Sequence, residues 1–140
     1  MTKYNNTDGL VTLSPEDDAA TVNWGDLWCM PKRWQIEALC NNCTTSVVSI
    51  KKVGTVDDYI TCIKFTSNIN NNELIFPCLG RAYEGSVGTT NSMDIWSSTL
   101  NTSKMFHSFE LLVEDFTSVY KKNTLARNRG LNIRPVLKQN

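Results

Sequence analysis

Apolar and polar residues alternate most cleanly in "DYITCIKFTS" (Asp58 to Ser67). Tyr59, Thr61, Ile63 and Phe65 fall on one face, and Ile60, Cys62 and Lys64 on the other. A period of two predicts a strand. The preceding "SVVSIKKV" (Ser46 to Val53) is short and β-branched and predicts a second strand. "GTVDD" between them supplies a turn, so the two form a hairpin. "NINNN" breaks the pattern before "ELIFPCL" (Glu73 to Leu79) begins a third strand. Pro77 has no N–H to give a ladder, which assigns that strand to an edge or a bulge. Further short strands are expected around Tyr83, over "MDIW" (Met93 to Trp96) and over "LNIRPVLK" (Leu131 to Lys138), the last edge-like because of Pro135.

Two stretches carry a helical period. In "FHSFELLVEDFTSVYKK" (Phe106 to Lys122), Phe109, Leu112, Val113, Phe116, Val119 and Tyr120 recur on one helical face. Its acids come early and its lysines late, which suits the helix dipole. This predicts one amphipathic C-terminal helix, although Val, Phe and Thr are mediocre helix formers and "SFELLV" could pass as a strand. "CMPKRWQIEALCNNC" (Cys29 to Cys43) reads two ways. As a helix, Pro31 stands at its first position and Ile36, Leu39, Cys40 and Cys43 share a face. As a strand, Arg33, Gln35 and Glu37 alternate with Trp34, Ile36 and Ala38; strict alternation followed by the turn-like "NNCTT" favours the strand. The predicted fold is a single domain over 1–140. It is mainly β, an antiparallel sandwich or jelly-roll-like layout with the one C-terminal helix. The alternative is α+β, with a helix near 31–42.

Composition narrows the function. A chain of 140 residues, 41% hydrophobic, suits one domain with a real core and excludes wholesale disorder. Net charge is zero, which argues against a dedicated nucleic-acid binder. No apolar run approaches the roughly 20 residues of a membrane span, so no membrane partner is expected. "MTKYNNTDGL" has neither a basic nor an apolar leader segment. The expected location is therefore cytoplasm or virion. Heavy use of Asn and Thr suits an AT-rich genome and extends the expectation to a viral protein.

Charge is nonetheless polarised. Before Met30, Asp8, Glu16, Asp17, Asp18 and Asp26 face Lys3 alone, whereas after Asp115 there are only bases, in a basic segment 121–140. Ends of opposite sign on a neutral chain favour contact between them, within one chain or between neighbours. The candidate interface residues are Trp24, Trp28, Asp17, Asp18, Arg127, Arg129 and Arg134, the tryptophans as apolar anchors. Segment 121–138 is the one place where phosphate contact is conceivable. It lacks the interleaved aromatics of a single-strand platform.

Cysteine chemistry is the remaining candidate. Five cysteines leave one over in any disulfide framework, and the thiols are expected to be reduced. Structural zinc needs four ligands, usually in two close pairs. Cys40 and Cys43 make one pair; Cys29 and His107 are the other candidates, and no second close pair exists. Zinc is thus the only candidate cofactor, and no metal site is assigned. A redox C-x-x-C should open a helix behind a strand, where the helix N-terminus lowers the thiol pKa; "CNNC" precedes a strand instead. His107, the single histidine, has no nucleophile or acid fixed beside it by any motif, and no catalytic residue is assigned. The expected function is a non-enzymatic binding or self-assembly module, extending to a viral structural (capsid-type) or accessory protein. Its partner would be another copy or a host protein. The alternatives are a small zinc-dependent or nucleic-acid-binding regulator, and a small hydrolase or transferase using His107.

Overall fold

The computed structural model describes residues 3–5, 7–88 and 91–139. Among the described residues, two helices and ten strands follow one another. They are α1 (Ala19–Trp24), β1 (Trp28–Cys29), α2 (Arg33–Asn42), β2 (Cys43–Lys51), β3 (Tyr59–Ser67), β4 (Glu73–Pro77), β5 (Ala82–Tyr83), β6 (Ser86–Val87), β7 (Met93–Leu100), β8 (His107–Glu114), β9 (Ser118–Ala126) and β10 (Val136–Leu137). The fold is mainly β, as the alternation predicts. Two antiparallel three-stranded sheets carry it, β2-β3-β4 and β7-β8-β9, each a meander of consecutive strands.

Inward-facing residues of both sheets meet in one core. Ile63, Phe65, Phe76 and Cys78 come from the first sheet and its exit; Met93, Ile95, Leu111 and Val113 come from the second. Phe65 and Phe76 meet edge to face at 5.4 Å, the arrangement that ring quadrupoles favour. Ile36 of α2 completes the core, with Leu39, Cys40 and Cys43 packed against it.

That helix corrects the favoured reading of the Cys29–Cys43 stretch, and the alternative near 31–42 is what forms. The Lys32 N–H donates to Gln35 Oε1 at 2.9 Å, Arg33 N–H to Thr99 Oγ1 at 3.0 Å, and Arg33 pairs with Glu37 one turn on. The first two bonds satisfy main-chain donors that a helix start leaves open. The alternation misleads because Trp34 and Ala38 lie on the solvent face, one turn apart, and not beside Ile36.

The predicted C-terminal helix is a β-hairpin. β8 runs to Glu114, the chain turns through Asp115 and Phe116 with φ of 47° and 62°, and β9 returns from Ser118. β8 is the middle strand and is buried on both faces, from Ser108 and Glu110 through Val113. A strand buried on both sides shows an apolar run without alternation, and such a run matches a helical period by chance. The final strand is also shorter than predicted: β10 starts only after Pro135 and pairs with β1, Trp28 opposite Leu137.

Candidate binding surface

A sheet exposes its unsatisfied main-chain groups at its edges, and folded proteins blunt those edges. Three of the four edges here are blunted. β7 is lined by the N-terminal arm, where Leu13 N–H donates to Ser98 O at 3.0 Å and Leu100 N–H to Val11 O at 2.9 Å. The C-terminal segment lines the rest of it, with Trp96 N–H donating to Asn132 O at 3.1 Å. β9 carries Lys121 and Lys122 in its sequence and a register shift against β8. β4 has only five residues, begins with Glu73 and ends with Pro77.

β2 has none of these devices. It spans nine residues, "CTTSVVSIK", with no proline and one charge, Lys51, at its far end. Its register with β3 is unbroken from Cys43↔Ser67 to Lys51↔Tyr59. The bonds that flank the ladder fix which way each residue faces. Lys52 N–H donates to Asp58 O, and Asn68 N–H donates to Asn42 O, both at 2.8 Å. Bonded and non-bonded pairs alternate along an antiparallel ladder. Even-numbered residues of β2 therefore bond to β3, and Cys43, Thr45, Val47, Ser49 and Lys51 turn their N–H and C=O outward. No backbone bond from another segment reaches β2 among the described residues. Val47 is 50% exposed although its neighbour Ile63 is fully buried. By the same parity, Pro77 lies opposite Cys62 and turns its missing N–H outward from β4.

The residues expected to form an interface are mostly engaged within the chain. Asp17 accepts from Lys3, Tyr4 and Ser14, and Glu16 from Lys3 at 2.8 Å. The Lys3 ammonium holds both carboxyls down at about 2. Asp18 is buried and caps α1, accepting from Ala20, Thr21 and Met30 N–H at 2.9–3.0 Å. Arg127 donates to the carbonyls of Tyr4 and Met105, Arg129 stacks 3.3 Å over Tyr83, and Arg134 lies 5.4 Å from the Phe76 ring. The two ends of the chain do meet, but through main-chain pairing of β1 with β10 and through Arg127. Trp28 lies in β1, and Trp24 ends α1 with its ring half-exposed. The side chains of Lys121 and Lys122 in the basic segment lie outside the described residues.

The metal candidates are not gathered. Cys29 is in β1, Cys40 and Cys43 close α2, and His107 opens β8. No group of three His, Cys, Asp or Glu side chains is placed to hold a metal ion among the described residues. Cys40 and Cys43 stand at the C-terminal end of α2, where the helix dipole disfavours a thiolate. Burial pushes the Cys29, Cys43, Cys62 and Cys78 thiols up, Cys78 to about 11. His107 Nδ1 is buried and has no hydrogen-bond partner among the described residues.

Two further features went unread in the sequence. An apolar groove of about 380 Å³ opens between α2, β4 and the C-terminal segment, lined by Trp28, Leu39, Leu74, Phe76 and Pro135. On the outer face of the second sheet, Arg81 pairs with buried Asp94 at 2.6 Å and stands 3.6 Å from buried Glu110. Ser92 donates to Asp94 and Asn123 to Glu110 Oε1, while Glu110 Oε2 has no hydrogen-bond partner among the described residues. Burial lifts the Glu110 carboxyl to about 7; Arg81 restrains the shift and Asp94 adds to it. The available signal was a single acid inside each of two apolar runs, "MDIW" and "FELLV".

Comparison with protein-family models, curated proteins and solved structures finds no match to this chain. No helix among the described residues is long and apolar enough to cross a membrane.

Proposed function

We propose that this chain is a non-enzymatic binding module that works through protein–protein contacts, by strand addition at the β2 edge. One observation carries the reading. β2 is long, unbroken in register and unblunted, whereas β4, β7 and β9 are each covered, charged or closed by proline. An added strand gains affinity from main-chain bonds and selectivity from side chains at alternate positions. On β2 those are Thr45, Val47 and Ser49, on the face of Ile63 and Phe65. A self-assembling structural protein, of capsid type or otherwise, is the case in which the added strand comes from another copy.

Amide exchange followed residue by residue in isotope-labelled protein tests this. A synthetic β-branched peptide, or raised protein concentration, should slow exchange at Thr45, Val47 and Ser49. Thr44, Ser46 and Val48 should already be slow, since they bond to β3. If the odd-numbered amides exchange at an unchanged rate in both arms, the edge is not a binding surface.

A further inference from the structure

We infer that the strand added at β2 is β2 of a second copy, paired antiparallel about Val47 across a two-fold axis perpendicular to the sheet. The inference rests on strand addition at this edge and names the partner. Three observations single out the second copy.

The first is register. Full overlap of two nine-residue strands places Val47 opposite Val47, Thr45 opposite Ser49 and Cys43 opposite Lys51. Every one of these pairs joins residues whose N–H and C=O point outward on both strands. Each such pair exchanges two bonds, so the full overlap makes about ten main-chain hydrogen bonds. A shift by one residue sets outward-facing groups against inward-facing ones and forfeits them.

The second is the row of side chains. Within one copy Phe76, Ile63 and Val47 lie side by side across β4, β3 and β2. An antiparallel pair keeps directly opposite residues on the same face. Pairing about Val47 therefore extends this row as Phe76, Ile63, Val47, Val47, Ile63, Phe76 across a six-stranded sheet. The half-exposed Val47, at the fringe of one core, becomes the centre of a continuous apolar stripe. Thr45 and Ser49 meet on either side of it with hydroxyls able to bond each other.

The third is charge. The single charge of β2 is Lys51 at its end. Antiparallel overlap puts the two copies of Lys51 roughly 27 Å apart, well beyond a Debye length. A two-fold contact uses the same patch on both partners and closes on itself.

Sedimentation equilibrium over a concentration series, joined to amide exchange on the same samples, tests the inference. The expected result is a monomer–dimer equilibrium in which Thr45, Val47 and Ser49 amides become protected as dimer forms. The substitution Ser49→Pro removes an outward N–H and leaves the β3 ladder whole. It should raise the dimer dissociation constant at least tenfold, with an unchanged circular dichroism spectrum. Val47→Glu, which sets two carboxylates against each other, should do the same should the proline variant fail to fold. A monomer at every concentration overturns the inference, and so does a dimer whose odd-numbered β2 amides still exchange as fast as before. If the protein stays monomeric while an unrelated β-branched peptide protects those amides, self-pairing is wrong and strand addition stands. If neither copy nor peptide protects them, both fall.

Discussion

The two sheets share one core and treat their outer surfaces oppositely. The β7-β8-β9 sheet sits under other parts of the chain: both termini line β7, and its outer face holds Asp94 and Glu110 fully buried beneath Arg81. The β2-β3-β4 sheet faces outward. Its outer face carries Lys64 and Glu73 in an exposed pair at 2.7 Å, and seven of the nine residues of β2 are exposed. Buried charge must be paired in place, so the second sheet tolerates one arrangement. Along the β2 edge of the first, alternate main-chain groups make no backbone bond to another segment among the described residues. The second sheet thus carries the buried charged side chains, and the first carries the exposed edge.

This contrast breaks most sharply at Arg81. Arg81→Met leaves the buried Asp94 carboxylate without its cation, beside a Glu110 that stays protonated, and should cost about 3–5 kcal/mol in urea unfolding. A loss of under about 1 kcal/mol would show that the cluster is not held by its cation. Next comes a pair of prolines on β2. Thr44→Pro removes a bond to β3 and should cost about 3 kcal/mol. Ser49→Pro, turned outward, should cost less than about 1 kcal/mol. Equal losses would mean that the edge faces the other way.

The third prediction concerns pH. The Glu110 carboxyl is lifted from its ordinary 4.5 to about 7, so between these values the folded chain holds a proton that the unfolded chain has released. Stability from this group is full below pH 4.5, falls as pH rises to about 7 and is level beyond. The span from 4.5 to about 7 makes the change roughly 3 kcal/mol. Glu110→Gln should flatten that slope and leave the protein more stable at pH 8, as thermal melting across pH would record. The smallest effect belongs to the exposed sheet: Lys64→Met should shift stability by less than about 1 kcal/mol.

Legibility in the sequence follows the same division. The β2–β3 hairpin and the edge position of β4 were readable because one face of each strand meets solvent and Pro77 marks an edge. The strand reading of β8 lost to the helical one because Glu110, Leu111, Leu112 and Val113 are all buried, which leaves no alternation to read. The helix α2 was hidden by Trp34 and Ala38, apolar residues on a solvent face. The β2 edge proposed as a binding surface was half legible. "CTTSVVSIK" shows a strand without proline and with one terminal charge, but which strand lies at an edge depends on pairing order, and local periodicity does not encode that order. The charge asymmetry pointed to contact between the ends. The contact formed is β1 with β10, while Glu16 and Asp17 turn to Lys3.

Pro77 has a consequence for stoichiometry. Repeated strand addition needs two reactive edges on each unit, as polymer growth needs two functional groups. A sheet with β2 open and β4 closed by a residue that has no N–H is monofunctional. Under the proposed strand addition, the step is also a terminating one: two copies joined through β2 would present β4 at both outer edges. The proline on one edge therefore sets how many molecules can be joined through the other.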